Sequence, residues 1–404
     1  MSAIQFETSP PAFPCACAYG GAQDRPPVTP QAKMACRPAD EVVSAAERPL
    51  LGSGLLRLPV AEAADKGSRG VPAVPKHDGL ILVTGANGFI GSHLTEALLA
   101  RGYRVRCVVR RTSDLTFIGH LPAEWAYADL RDGGKLRQAC QGVDAVCHCA
   151  ALTRALDEET FVSVNVQGAE TLARICAEEN VHLRRFLFVS SQAAAGPSRS
   201  ADDLLDESRL PQPITWYGKS KWAAEQALLE KSGRFPLTMV RPAAVFGPRD
   251  RDFLAYFGLV KRSLNLQVGR LERTLSLIYI RDLVDLLLLA LESESAIGNT
   301  YFGCGPVVSR AELAESIGRA LHKRTVRINL PEVVLTPIAL WSRVQGRLTG
   351  RPALLNDQRV LDMRPRYWLC SGEKARQSLG FQARYDLDTA VQETAEWYLQ
   401  NKWL

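Results

Sequence analysis

No stretch of this sequence strings lysines and arginines together or interleaves them with aromatic residues, the pattern a nucleic-acid-binding surface needs. The formal charge of +6 is scattered over 404 residues, which makes nucleic acid a poor partner. Nor does any apolar run reach the roughly 18 residues that a membrane-spanning helix requires. The longest, LVDLLLLAL (283–291) and PEVVLTPIALW (331–341), are too short or too interrupted. The second reads as a core or interface helix, with a place on a membrane surface or over a greasy substrate as the alternatives. A secretory apolar segment is missing as well. The ten cysteines, at 15, 17, 36, 107, 140, 147, 149, 176, 304 and 370, therefore read as free thiols in a reducing, cytoplasmic setting. The CHCA stretch (147–150) suggests metal ligands, but no second Cys/His cluster completes a set. It reads as a buried strand, and no metal is expected.

What is present divides into two kinds of sequence. Residues 1–78 hold eleven of the 23 prolines, mixed with Ala, Gly and Ser, and read as a disordered extension. An organelle-targeting peptide or a misassigned start are the alternatives there. Order is expected from GLILVTGANGFIGSHLTEALLARG (79–102), where a β-rich run meets a glycine turn and then helical spacing. Strand-like runs follow at 103–109, 124–130, 144–151, 185–191 and 236–247, with helical segments between them. Alternation over 79–250 predicts an α/β fold, a doubly wound parallel sheet binding a dinucleotide. Residues 251–404 predict a smaller, partly helical substrate lobe whose pieces return to the sheet. With 46% hydrophobic residues the chain has material for a substantial core.

Gly85, Gly88 and Gly91 form G-x-x-G-x-x-G between a strand and a helix. Such glycines serve a tight turn, close backbone approach to a pyrophosphate and close helix–strand packing, while the helix N-terminus offers N–H groups to phosphate. Asn87, Phe89 and Ile90 complete this cofactor-binding turn. An acid about 20 residues on would hold the ribose hydroxyls of NAD. Arg110 and Arg111 stand there instead and suit a 2′-phosphate, so NADP(H) is favoured, with NAD(H) the alternative. Asp114 could also fold back to the ribose. Later in the chain, WYGKSK (216–221) puts Tyr217 and Lys221 four residues apart, on one face of a helix.

These motifs resemble the extended short-chain dehydrogenases/reductases, also called the NAD-dependent epimerase/dehydratase family. The resemblance runs from about Leu80 to Leu399. It is carried by TGANGFIG (84–91), ADL (128–130), HCAA (148–151), NVQGAETL (165–172), VSSQAAAG (189–196), YGKSK (217–221) and RPAAVFGP (241–248). It implies that Asp129 and Leu130 border the adenine, that Ala150 and Ala151 line the nicotinamide side, and that Pro242 belongs to the cofactor site. It implies Ser191, Tyr217 and Lys221 as the catalytic group, with Asn165 supporting them. Ser190 is the competing serine, since successive strand residues face opposite ways. As acid/base, Tyr217 must lose about three pKa units, or about 4 kcal/mol of differential stabilisation, with Lys221 and an oxidised nicotinamide as the expected sources.

SSQAAAG (190–196) lacks the acidic pair of the family's dehydratases. Leu275 and Ser276 replace the phosphate-binding arginine stretch expected of its sugar-nucleotide epimerases, though Arg273 or Arg249 could compensate. The preferred reading is an oxidoreductase acting on a bulky alcohol or ketone, similar to dihydroflavonol reductases and 3β-hydroxysteroid dehydrogenases, with 331–341 and RPRYWL (364–369) as a greasy cover. A sugar-nucleotide epimerase is the alternative, followed by a non-catalytic NAD(P) sensor or scaffold. Oligomeric state is nearly invisible in the sequence; the resemblance implies a homodimer as one option, through WAAEQALLE (222–230), whose Trp222, Ala223 and Leu228 could equally be core.

Overall fold

The structure is a computed structural model that describes residues 79–180, 182–269, 271–349 and 357–404. The extension read over 1–78 lies outside the described residues. Short β-branched and apolar runs make the strands β1 (Leu80–Thr84), β2 (Arg104–Val109), β3 (Glu124–Tyr127), β4 (Ala145–His148), β5 (Arg185–Val189), β6 (Leu237–Pro242), β7 (Ala244–Phe246), β8 (Leu264–Val268), β9 (Thr274–Tyr279), β10 (Thr300–Gly303), β11 (Val307–Ser309), β12 (Val326–Leu330) and β13 (Tyr367–Trp368). Seven of them form one parallel sheet in the order β10-β6-β5-β4-β1-β2-β3. Every residue of β1, β4, β5 and β6 is buried, as expected of central parallel strands covered on both faces. The order turns back between β1 and β4, and at such a switch point the strand ends splay into a ligand crevice.

Helices cover both faces. The first six are α1 (Phe89–Ala100), α2 (Gly133–Cys140), α3 (Glu158–Phe161), α4 (Gly168–Glu179), α5 (Gln192–Ala195) and α6 (Trp216–Leu229). Between α3 and α4 the chain widens into a π-helical turn, Val162–Gln167. The later helices are α7 (Leu254–Lys261), α8 (Ile280–Glu292), α9 (Arg310–Ala320), α10 (Leu335–Thr349), α11 (Asp357–Met363), α12 (Glu373–Leu379) and α13 (Leu387–Gln400). The period of two in β1 sorts its side chains. Ile81 and Val83 join Leu94 and Leu98 of α1 and the leucines of α8 in one core. Leu80 and Leu82 join Leu136 of α2, Leu172 of α4 and Leu228 of α6 in the other. Leu228 is thus a core residue and is not available to a dimer face.

Two sequence expectations are corrected here. The run 236–247 is not one strand: β6 ends at Pro242, and β7 belongs to a second sheet with β9, β11 and β13. Proline at 242 donates no N–H, and Ala243 gives its own N–H to Gly303 O (2.8 Å) before the chain leaves the main sheet. The stretch 331–341 is partly helical but is not core, because Val333, Leu340 and Trp341 are 76, 63 and 71% exposed. Among the described residues no helix is long and apolar enough to cross a membrane. The described cysteines are all free thiols.

Candidate active site

The glycine turn closes at the end of β1. Gly85 takes a φ of 67°, a left-handed conformation that suits glycine, and its carbonyl accepts the Gly88 N–H (2.9 Å). A side-chain carbon at Gly91 would stand 2.1 Å from that carbonyl, and one at Gly85 would stand 2.7 Å from Ala150 Cα. The turn, the start of α1 and the loop after β4 are therefore packed at backbone contact. Gly88 caps α1 without a side-chain hydrogen bond. The first N–H groups of α1 thus face a cradle beside exposed Gly88 and half-buried Asn87, Phe89 and Ile90, a fit for an anionic pyrophosphate.

At the end of β2, Arg110 and Arg111 are exposed, and Arg111 lies over the Tyr127 ring (5.3 Å). Asp114 does not return to the ribose position. Its carboxylate accepts the Thr116 N–H (3.0 Å) and hydroxyl (2.5 Å) of its own turn. Asp129, after β3, is bridged by Arg131 (2.8 Å), whose hydrogen bonds hold its pKa down at about 2. Leu130 packs on Gly168 at the start of α4. Across the switch point, Ala150 and Ala151 are half-buried after β4, with the Ala150 N–H 3.3 Å from Thr84 Oγ1. His148 lies buried on Phe188, its Nδ1 2.6 Å from Thr84 Oγ1, and burial lowers its pKa to about 3. Pro242 is buried and registers opposite Gly303.

The expected catalytic side chains lie on adjoining elements, Ser191 at the head of α5 and Tyr217 and Lys221 on α6. Ser191 caps α5, its hydroxyl accepting the Ala193 N–H (3.1 Å). Its hydroxyl also opposes the effect of burial on the Tyr217 phenol. Ser190 faces the other way and donates to Glu225. Tyr217 sits in the first turn of α6, part-buried against Phe161 (centroids 6.4 Å apart). Lys221, one turn on, is 2% exposed. Its ammonium donates to Val189 O (2.6 Å) and stands 4.2 Å from the Phe188 ring centroid. Burial lowers its pKa to about 8, opposed by Glu225 and Cys149. Asn165, in the π-helical turn, holds Leu152 N–H (2.7 Å) and O (3.0 Å) and donates to Ser220 Oγ (2.9 Å). Ser220 in turn donates to Tyr217 O (2.8 Å).

In the protein by itself the Tyr217 phenol is raised, with burial the dominant cause. The Lys221 ammonium is turned to a carbonyl and an aromatic face and does not overcome that burial.

Several residues escaped the sequence reading. Thr215 caps α6 by accepting Gly218 N–H (3.2 Å). Gln358 Oε1, from α11, accepts Trp216 N–H (2.8 Å). Arg359 pairs with Asp252 (3.0 Å), which also pairs with Arg154. Glu225 and Arg241 form a buried ion pair (2.6 Å) beneath Lys221. Only Glu225 carried a signal, its spacing of four from Lys221. Gln358 meets the site across 142 residues of chain, where no local pattern reaches.

A sequence model of the NAD dependent epimerase/dehydratase family matches residues 81–302. The chain belongs to this family. It is 32% identical over 269 residues to Sterol demethylase protein B of Methylococcus capsulatus, covering 64% of this chain and 80% of that protein. It is 28% identical over 340 residues to the Ceramide reductase of Caulobacter vibrioides, covering 81% and 96%. The crystal structure of the UDP-glucose 4-epimerase of Thermotoga maritima with UDP-glucose superposes with a TM-score of 0.67 at 20% identity, over 80% of this chain and 99% of that one. Reductases, dehydrogenases and epimerases all occur among its relatives, which places the chain among nicotinamide-dependent enzymes that act on CH–OH groups.

Proposed function

We propose that the protein is an NAD(P)-dependent oxidoreductase that interconverts a bulky, largely apolar alcohol and its ketone. The observation that carries this reading is the placement of Ser191 at the head of α5 and of Tyr217 and buried Lys221 on α6, which packs on α5 at backbone contact between Gly218 and Ala193. A bound nicotinamide supplies or accepts the hydride. Tyr217 then gives its proton to the substrate oxygen or takes it away, while Ser191 hydrogen-bonds that oxygen and stabilises its charge. Lys221 places a positive charge under the site. The helix α1 cradle holds the pyrophosphate, and Arg110 with Arg111 favours the 2′-phosphate of NADP.

Two observations support an apolar alcohol over a sugar nucleotide. Arg273, the nearest substitute for the missing phosphate-binding arginine, is 5% exposed. It is consumed by Met363 O (2.9 Å), Val268 O and Glu332 (2.6 Å). Arg249 is tied to Glu96 (2.7 Å) and Ser92 (3.2 Å) on α1. In addition, two relatives carry names of lipid chemistry, a ceramide and a sterol. Turnover of sterol, long-chain and sugar-nucleotide panels with NADP(H) and NAD(H) tests the reading, with Tyr217→Phe as control. Reduction or oxidation of a lipid-like member, lost in the variant while cofactor binding persists, is the expected result. Epimerisation of a nucleotide sugar, or unchanged turnover in Tyr217→Phe, would overturn it.

A further inference from the structure

The end of β5 is held to α6 by two side chains one helical turn apart. The Lys221 ammonium donates to Val189 O (2.6 Å). Glu225, four residues on and so on the same helix face, accepts the hydroxyl proton of Ser190. The Ser190 N–H goes to Val240 O of β6 (2.7 Å). Arg241, the next residue of β6, reaches the Glu225 carboxylate with two arms of its guanidinium, Nε to one oxygen (3.0 Å) and Nη2 to the other (2.6 Å). Its guanidinium also lies against the Phe302 ring of β10, 5.6 Å from the centroid. Ser190, Glu225 and Arg241 are 3, 0 and 6% exposed. One buried carboxylate thus ties α6 to β6 and to the end of β5, and the next residue along the chain is Ser191.

A buried ion pair is a weak source of stability. Taking both charges out of water costs much of what their attraction returns, and apolar residues of similar volume often hold a fold as well or better. What the pair adds is geometry. A guanidinium fork meets a carboxylate in a defined plane, and the third bond from Ser190 holds the carboxylate against turning. Successive side chains of extended backbone face opposite ways, so tying the Ser190 hydroxyl to α6 on one face fixes how Ser191 projects on the other. We propose that Glu225, with Arg241 and Ser190, is a positioning device: it locks the strand end that leads into Ser191 onto the helix that carries Tyr217 and Lys221. This rests on the Ser191–Tyr217–Lys221 reading of the site and adds to it the part that sets the distance between its two halves.

Geometry and stability are separated by two variants of the full-length protein. Glu225→Met combined with Arg241→Met replaces the pair by apolar side chains, and Ser190→Ala removes the third bond without leaving a bare charge. Both should keep a urea midpoint near the wild-type value and bind NADP(H) with unchanged affinity. On a substrate turned over by the wild type, kcat should fall about tenfold or more with KM little changed, the scale of loss that a small misplacement causes. In crystal structures of the same variants, Ser191 should stand displaced relative to Tyr217 by about 0.5 Å or more, the tolerance of a productive site. An unmoved Ser191, or wild-type kcat, in folded variants overturns the proposal. If the double variant does not fold, Ser190→Ala decides alone. The displacement is read without substrate, so its failure is separate from failure of the functional reading, which turns on Tyr217→Phe turnover.

Discussion

Lys221 is held where a lysine is least stable. At 2% exposure its pKa falls from 10.5 to about 8, with burial the leading cause, a difference of about 3 kcal/mol at roughly 1.4 kcal/mol per unit. Below the folded-state value both states bind the proton and the full cost of the buried charge is felt. As pH rises from about 8 towards 10.5 the unfolded chain holds more protons than the folded one, and stability rises. Lys221→Met should therefore stabilise the protein at neutral pH by up to about 3 kcal/mol, while abolishing turnover. The gain should shrink in denaturant melts run at increasingly alkaline pH; a constant or growing gain would refute it. The cofactor preference is also a matter of single residues. Arg110→Ala should weaken NADP by about tenfold or more and leave NAD little changed, the loss of one charge-assisted phosphate bond. Equal effects in a fluorescence titration would remove Arg110 from the phosphate site. Ser191, Tyr217, Lys221 and Asn165 were open to nomination from sequence because each sits in a short motif, Tyr217 and Lys221 in the same one. Ser190 could be told from Ser191 only once Glu225 was seen below it. The raised phenol of Tyr217 was not legible at all, because burial is a property of everything packed around it.

Among the elements, the turn into α1 has the least tolerance. Gly91→Ala puts a carbon into the Gly85 carbonyl, 2.1 Å away, and both are backbone-fixed, so the helix must shift off the strand. The expected loss is on the order of 1–3 kcal/mol, the usual cost of overpacking, read as a lowered melting temperature together with weakened cofactor binding. Wild-type binding in that variant would count against the cradle. Helix α6 is an element with a second task. Below Lys221 it presents Glu225 to Arg241, 0% and 7% exposed, with Ser190 as third partner. Glu225→Ala leaves a guanidinium buried without its counter-charge, which costs about 3–5 kcal/mol and should appear in the urea midpoint; a neutral result would show the pair to be replaceable. The alternation of strand and helix was readable from apolar runs bounded by turn residues. The break at Ala243 was not, because a run such as PLTMVRPAAVF looks the same whether it pairs with one neighbour or changes partners midway. Nor was the outward face of α10, since periodicity reports that a helix has an apolar side and not whether anything lies against it.

For the molecule as a whole, the parallel sheet was implied once βαβ units were recognised, because right-handed crossovers leave few ways to lay consecutive strands. That a later piece returns to the sheet was expected; that it is β10 beside β6, and that a second sheet forms, depended on contacts far apart in sequence. That second sheet bears on how the site can open. Residues 237–246 pass directly from the main sheet, up to Pro242, into the small sheet, from Ala244, and the one residue between them, Ala243, is still bonded to Gly303. A joint of this kind resists bending much as a splint does across two boards. Swinging the small sheet away from the large one would break the pairing of β7 with β9 or of β6 with β10 before it moved a substrate. Admission of a bulky molecule is then a matter for the pieces laid over the crevice, with the two sheets keeping their distance throughout. Hydrogen exchange should find the amides of 237–246 among the slowest and indifferent to cofactor, and those of α11 faster and slowed when the site is filled.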